Sequence, residues 1–134
     1  MKKFISATFI TLVFISFSHF AFAESPKNYQ KLELEGKDFS NLNLEGANFE
    51  KAELDKANFK NANLKNANFK GADIERANFE GANLEGANFE NADLEETSLL
   101  NANIKNVNFK NTELEYAIWT DGTVCGAGSV GSCW

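Results

Sequence analysis

The sequence predicts an all-β solenoid, a closed coil of short extended sides stacked on itself. Three observations carry this. From residue 32 to residue 121 one five-residue pattern recurs eighteen times without an insertion or deletion. Two of its positions are apolar almost throughout: a central Phe or Leu, and a companion Ala two residues before it. A third position, two after the centre, is mostly Gly or Asn, residues suited to a turn.

The units Ala57-Asn58-Phe59-Lys60-Asn61, Ala62-Asn63-Leu64-Lys65-Asn66 and Ala67-Asn68-Phe69-Lys70-Gly71 show the pattern. Centres fall at every fifth residue from Leu34 to Trp119, and every Phe beyond residue 23 is one of them. Such placement means that centre and companion face one shared interior. A straight α-helix cannot provide it, because five residues advance about 500° and would spread the centres around the helix. A coiled coil needs spacings of three and four. In one continuous strand the odd period would point alternate centres to opposite faces. Within a unit, however, centre and companion are two apart and lie on one side of an extended segment. If the chain turns a corner after each unit, every unit aims the same pair inward.

Residues 1–23 read as a signal peptide. Met1-Lys2-Lys3 is followed by an apolar run from Phe4 to Phe22 and an A-x-A ending at Ala21-Phe22-Ala23. The alternative is an uncleaved anchor, but the run is short for a span and diluted by Ser6, Thr8, Thr11, Ser16, Ser18 and His19. Cleavage after Ala23 removes the one His and two of the 13 cations, leaving 11 Lys and Arg against 19 Asp and Glu. An acidic surface of this kind repels phosphates and disfavours nucleic acid as a ligand. No stable membrane insertion is expected once the leader is removed. Residues 24–31, with Pro26 and Tyr29, precede the register and are expected to cover the first coil as an N-terminal cap.

Residues 32–121 resemble the pentapeptide-repeat family, whose motif is a small residue, Asn or Asp, Leu or Phe, and two variable positions. The resemblance implies a right-handed quadrilateral β-helix with four units per coil, here about four and a half coils. On that geometry the alternation of Phe with Leu or Ile from 34 to 94 puts Phe on two opposite sides, each stacked over the last. Leu99 stands where a Phe is due, and Trp119 replaces the last one. Thr97-Ser98-Leu99-Leu100-Asn101 fits the pattern worst. Leu100 and Ile118 are expected to point outward on one side, either beneath the C-terminal tail or as a small contact patch for a partner.

Sorted by side, the outward residues differ. On the side of centres 34, 54, 74, 94 and 114 every flanking residue is acidic: Glu33, Glu35, Glu53, Asp55, Asp73, Glu75, Asp93, Glu95, Glu113 and Glu115. The other sides carry Asn before the centre in ten of thirteen units. After the centre, two sides alternate in charge, as Glu45, Lys65, Glu85, Lys105 and as Glu50, Lys70, Glu90, Lys110. Stacked like charges destabilise a sheet, so the acidic side is a cost, tempered by Lys56 and Arg76 at its corners. It reads as a solubilising face, as a docking face for a basic protein or peptide, or as a surface for weak divalent cation binding. A flat array does not enclose an ion as a dedicated calcium site does, so no metal site is assigned.

Residues 122–134 hold both cysteines, Cys125 and Cys133, separated by a Gly- and Ser-rich segment. In an exported chain this reads as a disulfide; a metal site or reactive thiol lacks histidine partners. The tail resembles the ending of a subset of exported pentapeptide-repeat proteins. It is expected to form a cap in which Val124, Val130 and Trp134 cover the last layer. Pairing of two rods through their ends stays open to such a solenoid, since uncovering a sheet edge promotes association.

No catalytic constellation is present. With its one histidine, His19, in the leader, the mature chain has no Ser-His or Cys-His pair. The paired carboxylates lack the cleft and apolar pocket that acid–base chemistry requires. No cofactor is implied. The resemblance raises one further option, since some cytosolic members mimic DNA and bind DNA gyrase. The leader directs this chain elsewhere, and its rod is shorter than those members need. The expectation is an exported, non-enzymatic binding or structural module.

Overall fold

A computed structural model describes residues 27–134. The segment expected to be a signal peptide and the start of the expected N-terminal cap lie outside the described residues. The rest is a four-sided β-helix. From Asn28 to Ser98 each residue before a centre makes a parallel bridge to the residue twenty positions on, as in Asn58↔Asn78 and Asn63↔Asn83. Four units therefore complete a coil.

The corner residue after each unit is left-handed, with φ between 55° and 71° from Lys31 to Tyr116. Gly reaches this region without steric penalty and Asn tolerates it, which accounts for their places there. Lys31, Lys51, Lys56, Arg76, Glu96 and Tyr116 occupy it without that excuse.

In the interior coils backbone hydrogen bonding uses four of the five N–H groups of a unit. Phe59 N donates to Asn78 O at 2.7 Å, Asn61 N to Glu80 O at 2.9 Å and Asn78 N to Ala57 O at 3.0 Å. Ala62 N closes the corner onto Phe59 O at 3.0 Å. The fifth N–H, just after the centre, is taken by the Asn before it: Lys60 N donates to Asn58 Oδ1 at 3.1 Å. The same Asn side chains also bond up the stack, as Asn63 Nδ2 to Asn43 Oδ1 at 2.9 Å and Asn108 Nδ2 to Asn88 Oδ1 at 2.9 Å. Asn is therefore specified by two bonds that the backbone cannot make for itself.

The interior is a set of vertical columns. The acidic side carries Leu34, Leu54, Ile74, Leu94 and Leu114, all buried. The next side carries Phe39, Phe59, Phe79, Leu99 and Trp119; the third Leu44, Leu64, Leu84 and Ile104; the fourth Phe49, Phe69, Phe89 and Phe109. Successive Phe rings in one column lie parallel at 4.8 Å, as between Phe69 and Phe89. The two Phe columns meet edge to face across the core, Phe79 and Phe89 at 5.8 Å and 89°. Aromatic pairs favour that arrangement. Above Phe89 the column loosens, and Phe109 lies 5.7 Å away. Leu99 keeps the register in the ill-fitting unit, fully buried, while Thr97 takes the companion position and donates its hydroxyl to Ile74 O at 2.9 Å.

Two expectations need correction. The coil starts one unit earlier than the repeat pattern indicates, so residues 27–31 form one side of the first coil and not a separate cap. Asn28 bridges Asn48, and the buried Tyr29 ring stacks on Phe49 at 4.6 Å. Tyr satisfies the centre position because only its ring needs to enter the column.

The tail pairs with two sides of the last coil, but Val124, Val130 and Trp134 do not cover it. They are 62%, 52% and 70% exposed. The tail reverses after Trp119 and runs antiparallel over two sides, Val124 opposite Ile118 and Val130 opposite Glu113. Residues directly opposite on one ladder share a face, so both valines inherit the outward direction of their partners. The buried Cys125 and Ser129 close the end, and Cys125 is disulfide-bonded to Cys133.

Candidate functional site

The ten acidic residues that flank centres 34, 54, 74, 94 and 114 stand on one side of the coil. Glu33, Glu53, Asp73, Asp93 and Glu113 stack in one bridged ladder. Glu35, Asp55, Glu75, Glu95 and Glu115 form the parallel row on the other flank of the centres.

This side departs from the bonding pattern of the other three. A carboxylate accepts but cannot donate, so the amide ladder between coils has no counterpart here. Asp93 still takes the N–H of Glu95, at 2.9 Å, and Asp73 reaches that of Glu75 at 3.5 Å. The longer Glu33, Glu53 and Glu113 side chains make no such bond.

Its charge is unevenly compensated. Lys56 lies 3.3 Å from Glu35 and 2.8 Å from Asp55, while Arg76 lies 3.0 Å from both Asp55 and Glu75. Burial draws the Asp55 carboxyl upward, but its hydrogen bonds to Lys56 and Arg76, with their charges, outweigh this and hold it below the usual range. Nearer the C-terminus, Asp93, Glu95, Glu113 and Glu115 have no ion-pair partner among the described residues. Glu95 is raised by burial and then by Asp93, Glu115, Glu113 and Glu75. Glu75 is raised by burial, then by Asp93 and Asp73, against the pull of Arg76. Oxygens of Asp93, Glu95 and Glu113 lie within 4.8 Å of one another.

The two sides that alternate in charge each close one ion pair between coils. Lys65 is 3.7 Å from Glu85 and Lys70 is 3.4 Å from Glu90. A third pair, Lys60 with Glu80 at 3.0 Å, lies on the side of Phe59. All are exposed pairs that contribute little to stability.

The structure places the second candidate patch at the C-terminal end. Ile118 is 37% exposed opposite Val124, whereas Leu100 is half-buried beside the turn at Gly122. Sequence reasoning missed that Tyr116 is also exposed there, at a left-handed corner above Glu96. Its place two after a centre, where Gly or Asn is usual, was the available signal.

A family model for pentapeptide repeats matches residues 34–71, 43–81 and 72–111, with 8 copies. Comparison with curated proteins returned no match. Among solved structures, the chain is similar to a pentapeptide repeat protein from the Arabidopsis thaliana thylakoid lumen. They share 34% identity over 72% of this chain and 70% of that one, with a TM-score of 0.48. It is also similar to HetL, a pentapeptide repeat protein involved in heterocyst differentiation regulation from the cyanobacterium Nostoc sp. strain PCC 7120. Identity there is 22% over 75% and 62% of the two chains, with a TM-score of 0.37. A further pentapeptide repeat protein from Nostoc PCC 7120 matches at 27% identity over 68% and 67%, with a TM-score of 0.31. Proteins of this kind form right-handed quadrilateral β-helices, the fold seen here.

Proposed function

The chain belongs to the pentapeptide-repeat family, and from that premise we propose an exported binding module whose acidic side docks a basic protein or peptide. Members of the family are generally non-enzymatic structural solenoids. The observation that carries the reading is the contrast between sides. Two sides devote their outward positions to amide ladders and alternating charges, which serve the fold, and the side of Phe59 adds the Asn58–Asp38 bond and the Lys60–Glu80 pair. The fourth gives up the ladder and stacks carboxylates that repel one another. The fold does not call for this arrangement, and a cationic surface would relieve it. Export is supported by the A-x-A leader pattern and by the Cys125–Cys133 disulfide, which persists in oxidising compartments.

A second reading, weak divalent cation binding, is favoured by the approach of Asp93, Glu95 and Glu113. Three oxygens on an open face fall short of the six to eight that calcium takes, so such binding would be loose and exterior.

The test is capture from the exported fraction with wild type and with Asp73, Glu75, Asp93 and Glu95 all replaced by Asn. The reading expects a basic species retained by wild type, released by salt and absent from the variant. Equal capture of the same species by both proteins rules the acidic side out.

A further inference from the structure

Among the described residues six large apolar side chains are exposed, and five of them, Tyr116, Ile118, Val124, Val130 and Trp134, lie in the last nineteen positions. An end cap that serves only to terminate a solenoid presents a polar outer face. This one does the reverse. The exposed residues also sit at a particular place. Val130 faces Glu113 on the antiparallel bridge, so it is the next rung of the carboxylate ladder Glu53, Asp73, Asp93, Glu113. Ile118 and Val124 pair on the adjoining side, and Tyr116 occupies the corner between the two. Hydrogen bonding to the Glu115 carboxylate, and then its charge, hold the Tyr116 phenol above its ordinary value. The apolar end and the uncompensated half of the acidic side are thus one continuous surface.

We infer that this surface docks an extended basic segment that also carries exposed apolar side chains. Its cations would lie against Asp93, Glu95, Glu113 and Glu115, and its apolar groups against Val130, Tyr116 and Trp134. The inference rests on the proposed basic partner and adds to it an apolar anchor and a location. Charge complementarity selects this occupant over the alternatives. Anionic headgroups would be repelled by the carboxylates, and a second copy would bring a matching set of negative charges against them. Exposed aromatic and aliphatic groups in a charged rim are the usual composition of a binding site's centre.

Calorimetric titration with three synthetic octapeptides tests it: alternating Lys and Leu, alternating Lys and Ser, and alternating Ser and Leu. The Lys–Leu peptide is expected to bind about tenfold more tightly than the Lys–Ser peptide, the gain from burying one or two aliphatic groups. The Ser–Leu peptide is expected to bind weakest. In a variant carrying Val124→Thr, Val130→Thr and Trp134→Ser the Lys–Leu advantage should disappear while Lys–Ser binding is unchanged. A salt titration of wild type needs no variant: Lys–Ser binding should vanish at about 1 M salt while part of Lys–Leu binding survives. Equal affinity for the Lys–Leu and Lys–Ser peptides would overturn the apolar anchor and leave the acidic docking face standing. Ser–Leu binding as tight as Lys–Leu would overturn the role of charge, and with it the proposed basic partner. Monomer–dimer exchange abolished by Trp134→Ser, with no peptide bound, would assign the surface to self-association instead.

Discussion

Replacing Asp73 and Asp93 together with Asn is predicted to stabilise the solenoid by about 1–2 kcal/mol. Both residues stand where the other sides carry Asn, and both already accept the N–H two residues on. Asn keeps that acceptor and adds a donor. In the double variant the new amide nitrogen at position 93 would reach the amide oxygen at position 73, as Asn88 reaches Asn68 at 3.4 Å and Asn83 reaches Asn63 at 3.3 Å. The amide at position 73 would in turn donate to the Glu53 carboxylate. Two such bonds in this half-exposed setting are worth roughly 0.5 kcal/mol each. Relief of like-charge stacking against Glu53, Glu75, Glu95 and Glu113 adds a few tenths per contact. For a domain of this size the sum corresponds to a rise in Tm of about 5–10 °C. Thermal unfolding followed by circular dichroism at low salt and at about 1 M salt separates the two parts, since only the repulsive part is screened. Wild type should gain more from salt than the variant does. A sharp fall in Tm for the variant would refute the reasoning, because it would mean that the carboxylates hold the coils together, as they would through bound cations.

The corner strain and the disulfide give further expectations, as does pH. Lys51 sits in the left-handed corner at φ 57°, so Lys51→Asn should raise stability by about 1 kcal/mol in a denaturant titration. Because Glu75 and Glu95 are raised in the folded protein, the stability they contribute is fully present in acid, below their unfolded values. It is lost as pH rises through the folded ones. The double variant Glu75→Gln with Glu95→Gln should therefore melt higher than wild type at neutral pH and equal it in acid; a gain confined to acid would reverse the assignment. Asp38, Asp55 and Asp121 are lowered and act in the opposite sense, their contribution being lost as pH falls through their folded values. Replacing Cys125 and Cys133 with Ser should cost about 2–3 kcal/mol in the tail alone and promote association, with the β-helix signal retained. Loss of that signal would show the cap to be required for the coils.

The interior was legible from the sequence because in nearly every coil the centre is a large apolar residue and the companion a small one. The four-way sorting of the surface followed from the same period. Tyr29 escaped because its unit, Lys27-Asn28-Tyr29-Gln30-Lys31, lacks the small companion, although the Asn before the centre was in place. The double duty of Asn was not visible, since it depends on which backbone N–H groups the coil leaves over. The tail was illegible for a related reason. Alternation says that Val124 and Cys125 face opposite ways, but which one faces inward is set by register against Ile118, and that is a tertiary fact. The uneven compensation of the acidic side depends likewise on how far Lys56 and Arg76 reach.

Whether the acidic side acts as a surface or merely as net charge can be decided directly. Four carboxylates can be removed from it, as Asp73→Asn, Glu75→Gln, Asp93→Asn and Glu95→Gln. Four can be removed from the other sides, as Glu50→Gln, Glu80→Gln, Glu85→Gln and Glu90→Gln, to give a protein of equal net charge. Titration of both with the Lys–Ser octapeptide should show binding lost in the first and kept in the second. Equal loss in the two would contradict the account.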